Sequence, residues 1–119
     1  MNTRKNALVM AKISCFIHVN VTEKIVLNPF LVQLLTAIQA SGSLQQAAKL
    51  QRVSYQHAWN TIKQLNCIAP LPVVELKRGG EHGGGAAIST YGNRILQEYA
   101  TIERLIQKTV NQIETEMAM

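Results

Sequence analysis

Two helix starts lie so close together near the middle of the chain that only a tight turn fits between them. Ser43-Leu44-Gln45-Gln46 has the form of a capping box, a serine followed three positions later by glutamine. The helix it opens, Leu44 to about Leu50, is short and turns Leu44, Ala47 and Ala48 towards a core. Neighbouring alanines let another helix approach closely. Gln51-Arg52-Val53 then leads to a further helix, capped by Ser54 and running through Leu65 or Asn66. Two short helices joined by about three residues, the second capped and amphipathic, make a helix-turn-helix.

The flanking segments fit the same architecture. Upstream, residues 13–27 are rich in β-branched side chains and partly alternate at Ile17, Val19 and Val21, which predicts one strand, with a bend into a hairpin near Thr22-Glu23-Lys24 as the alternative. Asn28-Pro29 opens a helix, with Leu31, Leu34, Leu35 and Ile38 at helical spacing and Ser41-Gly42 closing it. Downstream, Pro70 and Pro72 stop helical structure, and Val73 to Lys77 reads as a strand. The glycine-rich run Gly79 to Gly85 is a loop, and Ala86-Ala87-Ile88 returns as a second strand. Ser89 caps a final helix from Thr90 towards Met117. The expectation is a mostly α fold with a small β wing: a single domain over 1–119, with an N-terminal strand region at 13–27, a three-helix core at 28–66, a wing hairpin at 73–88 and a long helix at 89–117.

At 100° per residue, Tyr55, Ala58, Trp59, Ile62 and Leu65 share one side of the third helix and are expected in the core. Gln56, His57, Asn60, Lys63 and Gln64 fall opposite, a narrow hydrogen-bonding face of the kind the major groove admits. Ser54, Gln56, His57 and Asn60 are the candidates for base contacts. Arg52, Lys63, Lys77, Arg78 and His82 are the candidates for phosphate contacts. Charge points the same way. Residues 1–80 hold nine Lys and Arg against two Glu, a net +7, whereas 81–119 are net −2. The basic body suits nucleic acid, and the acidic tail faces elsewhere.

That tail repeats Ile95, Tyr99, Ile102, Ile106, Val110, Ile113 and Met117, with Leu96 and Leu105 widening the stripe. A helix of about 28 residues is roughly 42 Å long, more than one small domain covers. Tyr99, Ile102, Ile106, Val110 and Ile113 are therefore expected to form a homodimer seam.

Other chemistries fit less well. Gly79 to Gly85 lacks the Lys-Ser/Thr ending of a P-loop and the GxGxxG spacing. His18, His57 and His82 are scattered, so no metal is expected, and no nucleophile and base pair off, so no enzyme and no cofactor are expected. Cys15 and Cys67 form no CxxC and are read as buried free thiols of a reducing compartment. Lys12 breaks the apolar run after Arg4 and Lys5, arguing against a signal peptide, and no stretch is long enough to span a membrane. A cytoplasmic location is expected.

The combination Gly42-Ser43-Leu44, Ala47-Ala48, Val53-Ser54-Tyr55, Ala58-Trp59, Ile62 and Leu65-Asn66, followed by Gly79-Gly80, Gly83 to Ala86, Ser89 and Tyr91-Gly92, resembles the N-terminal domain of molybdate-responsive (ModE-type) transcription regulators. It is more distantly similar to the helix-turn-helix of LysR-type regulators. The resemblance covers about residues 13 to 115. It implies a winged-helix dimer held by the long helix on a palindromic operator in double-stranded DNA, with the Ser54-Tyr55 helix reading bases and Gly79 to Gly85 as the wing tip. Full-length members add C-terminal oxyanion-binding domains, for which these residues leave no segment, so molybdate binding is not expected here and the effector is open. Glu81 departs from a more basic wing. The expected function is a sequence-specific DNA-binding transcriptional regulator without its own oxyanion-sensing domain. The alternative is a winged-helix protein-interaction module or adaptor, marked by salt-insensitive DNA binding beside a stable protein partner.

Overall fold

The computed structural model describes residues 12–77 and 85–118. The element order is β1 (Val19–Asn20), β2 (Val26–Leu27), α1 (Pro29–Ser41), α2 (Leu44–Leu50), α3 (Tyr55–Ile68), β3 (Val74–Leu76), β4 (Ala86–Ile88) and α4 (Thr90–Ala118).

Helix ends follow the local chemistry. Asn28 Oδ1 accepts from the Leu31 N–H at 2.8 Å, and Pro29 occupies a first-turn position where a missing N–H costs nothing. Gly42 closes α1 at φ +68°, a left-handed conformation that suits glycine. Ser43 and Ser54 cap α2 and α3 through the Gln46 and His57 N–H groups, and Ser89 Oγ accepts from the Gly92 N–H at 2.9 Å.

Of the two expectations for residues 13–27, the hairpin bent near Thr22-Glu23-Lys24 is the one found, in short form. Residues 12–18 belong to no strand, and β1 pairs antiparallel with β2 over only two rungs, Val19 with Leu27 and Asn20 with Val26. Thr22 Oγ1 accepts from the Ile25 N–H in the turn. Residues 12–18 run beside α4 instead, where the Tyr99 hydroxyl donates to Ile17 O at 3.1 Å and Glu114 Oε2 accepts from the Ile13 N–H at 2.9 Å. Burial, and secondarily the Glu103 carboxylate, hold the Tyr99 phenol above its usual pKa.

One apolar core gathers every element: Ile25 and Leu27, Leu34, Leu35 and Ile38 of α1, Leu44, Ala47 and Ala48 of α2, Ala58, Ile62 and Leu65 of α3, Val73, Val74 and Ala86 of the wing, and Ile95 and Tyr99 of α4. Ala47 and Ala58 are fully buried, so the small residues sit where α2 and α3 cross. Both cysteines, read from sequence as buried, are exposed and free: Cys15 lies on the irregular N-terminal segment and Cys67 on the outer face of α3.

The wing is tied to the helices by non-local bonds. β3 pairs antiparallel with β4, Val74 opposite Ile88, Glu75 opposite Ala87 and Leu76 opposite Ala86. The Ala86 N–H donates to Gly42 O at 3.0 Å, fastening β4 to the start of the helix-turn-helix. No helix among the described residues is long and apolar enough to cross a membrane.

Candidate nucleic-acid interface

The outer face of α3 carries no burden of folding. Ala58, Ile62 and Leu65 face the core, and Gln56, His57, Asn60, Lys63, Gln64 and Cys67 are exposed. Gln56 Nε2 donates to Asn60 Oδ1 at 3.0 Å, one helical turn away. The pair restrains both side chains, yet leaves the Gln56 carbonyl and the Asn60 amine free to act. An acceptor beside a donor is the complement of an adenine edge in the major groove.

Two flanks bound this face. On the α1 side, the His57 ring lies 5.9 Å from that of Phe30, and Thr61, Gln64 and Ile68 line a shallow cleft with Val26 and Leu31. On the wing side, Asn66 joins α3 to β3. Its Oδ1 accepts from the Val73 and Val74 N–H groups at 2.9 and 3.2 Å, and its Nδ2 donates to Val74 O at 2.8 Å. One amide thus fixes the angle between helix and wing. The sequence reading gave Asn66 no role, because its partners are strand backbone that spacing along a helix does not reveal.

Trp59 packs against the core as expected, whereas Tyr55, on the same side of α3, does not. Tyr55 is 51% exposed, and Trp59 is half-buried, resting on the core edge. Their rings stack at 6.4 Å and 27°, and Lys63 Nζ lies 5.7 Å from the Trp59 ring. Tyr55 stands at the start of α3, in the same turn as the fully buried Ala58.

The remaining candidates distribute as follows. Ser54 is exposed, with its Oγ occupied at 3.0 Å as the helix cap. Arg52 is exposed in the turn between α2 and α3, at a left-handed φ of +57°. Lys77 is exposed at the end of β3, and its N–H donates to Gly85 O. Arg78, His82 and the Gly79 to Gly84 part of the loop lie outside the described residues. Arg52 thus lies in the turn before α3, Lys63 on α3 and Lys77 just after β3, all three exposed. Among the described residues no group of three His, Cys, Asp or Glu is placed to hold a metal ion.

The α4 candidates divide. Tyr99 and Val110 are buried within the protomer, Ile102 and Ile106 are half-buried, and Ile113 is exposed together with Leu105 and Met117. Tyr99 is committed to the protomer core, so the free apolar surface centres on the distal half of the helix.

No family model matches the chain. It is 39% identical over 95 residues to the transcriptional regulator ModE of Haemophilus influenzae and 35% identical over 92 residues to that of Yersinia pestis. To the DNA-binding transcriptional dual regulator ModE of Escherichia coli K12 it is 34% identical over 97 residues. These matches take in 80%, 77% and 82% of this chain and 37%, 35% and 37% of the relatives, so the chain spans about a third of their length. Over about four fifths of its length, therefore, this chain carries the N-terminal winged helix-turn-helix domain of the ModE type.

Proposed function

We propose that the chain is the DNA-binding part of a sequence-specific transcriptional regulator, acting as a homodimer on a palindromic duplex. The observation that carries this reading is the α3 face: exposed amides restrained by each other, with exposed cations on the same helix (Lys63), in the turn before it (Arg52) and just after β3 (Lys77). Gln56 and Asn60 supply base contacts, with His57 and the remaining capacity of Ser54 beside them. Arg52, Lys63 and Lys77, joined by Arg78 and His82, take phosphates. The half-buried and exposed apolar residues of α4, Ile102, Ile106, Leu105 and Ile113, support pairing with a second copy.

The test is an affinity comparison on selected and random duplexes. Gln56→Ala and Asn60→Ala should each lose roughly 1–3 kcal/mol on the selected duplex and much less on the random one. Lys63→Ala should weaken both alike and lower the salt slope by about one. Equal losses on both duplexes for the two amide variants would move them from base reading to backbone contact.

A further inference from the structure

We infer that Tyr55 is a phosphate-binding residue, contacting the DNA strand that runs between α3 and the wing. The inference rests on the DNA-binding reading above and adds a contact that charge and helix spacing both missed.

The position comes first. At 100° per residue, Tyr55, Trp59, Lys63 and Asn66 follow one edge of α3, beside the Gln56 and Asn60 face. Asn66 identifies that edge as the wing side, because its amide is bonded to Val73 and Val74. Tyr55 therefore stands at the rim where a groove-facing surface gives way to the wing. A duplex that admits α3 into its groove must bring a phosphate strand along that rim.

The second observation is that Tyr55 is held without being buried. Its ring is 51% exposed, yet stacks on Trp59 at 6.4 Å and 27°, with Lys63 Nζ over the Trp59 ring. The three residues recur at four-residue spacing, so each turn of α3 steadies the next. Among the described residues, the side-chain hydrogen bonds of the first two turns of α3 involve Ser54, Gln56, Asn60 and Thr61 and not the Tyr55 hydroxyl. An exposed ring stacked on its neighbour presents its hydroxyl as a donor, and phosphate oxygens accept from tyrosine as well as from cations. Lys63, one ladder step beyond Trp59, adds positive charge to the same strand.

A neutral donor leaves a distinct signature. Losing a cation reduces the number of counterions released and so flattens the salt dependence, whereas losing a hydroxyl does not. Tyr55→Phe keeps the ring and its stack and removes only the donor. Its melting temperature and circular dichroism should match the wild type. Affinity should fall at least about ten-fold, the lower end of what a hydrogen bond to a charged group contributes, on selected and random duplexes alike, with the slope of log K against log salt unchanged. Undiminished affinity of Tyr55→Phe, with the wild type binding normally, overturns this assignment alone. A loss confined to the selected duplex makes Tyr55 a base reader and likewise overturns it. A wild-type protein that binds no duplex overturns both this inference and the function on which it rests.

Discussion

Arg52 occupies a backbone conformation better suited to glycine. Its φ of +57° brings the Cβ of an L-residue close to backbone oxygen, a strain of order 1–2 kcal/mol. The side chain is exposed, so the proposed phosphate contact is the role to be separated from a structural one. Arg52→Gly relieves the strain, although glycine's larger unfolded-state entropy offsets part of the gain. Denaturant melts should therefore show unchanged or higher stability, by up to about 1 kcal/mol, while duplex affinity falls and the salt slope drops by about one. A variant that loses stability and affinity together would make Arg52 a structural residue. The same residue scale shows what sequence could reveal about the site. Gln56, His57, Asn60 and Lys63 are exposed as the helix spacing predicts, because their positions depend only on the helix repeat. Tyr55 lies on the core side by angular position yet is half exposed, its ring packing on Trp59 instead.

At the scale of elements, the helices were legible because their ends are chemically local. Asn28, Ser43, Ser54 and Ser89 each cap a helix within three residues of themselves, and Gly42 ends one. What holds the wing was not legible, since every tie crosses between elements: Asn66 to β3, Ala86 to Gly42, and Ser89 Oγ to Pro72 O. Residues 12–18 failed as a strand for the same reason. β propensity needs a partner strand, and this segment lies along α4. Gly92 is the clearest packing constraint among the wing contacts. A Cβ there would collide with Val73 O and come within 2.7 Å of Ile88 Cγ2. Alanine in a helix ordinarily gains up to about 1 kcal/mol over glycine. Here Val73, just before β3, and Ile88 of β4 must give way, and overpacking of that kind costs about 1–3 kcal/mol. Gly92→Ala should accordingly unfold at lower denaturant concentration than the wild type. A gain in stability would show that the contact of α4 with β3 and β4 is loose.

The whole molecule is elongated, with extents of 68 × 28 × 19 Å and a radius of gyration of 18.7 Å. A compact domain of this length would have a radius of about 13–14 Å. The 29 residues of α4 account for the difference, since a helix of that length reaches roughly 43 Å. Its first turns close the core through Ile95 and Tyr99, while Leu105, Ile113 and Met117 remain exposed further along. The sequence stripe was right about periodicity, but could not separate residues claimed by the protomer from those left for another surface. In the proposed dimer, pairing of the distal halves sets two α3 faces about one DNA turn apart, near 34–36 Å. Each protomer then adds its own phosphate contacts, and joining the half-sites raises affinity beyond either alone. The most direct measurement is the affinity of the wild-type protein for a selected palindromic duplex and for its isolated half-site, from low to high salt. Binding to the palindrome should be tighter, with log K falling steeply against log salt at about −0.9 per phosphate neutralised and a steeper slope on the palindrome than on the half-site. An affinity independent of salt, or absent for both duplexes, would contradict the proposed function.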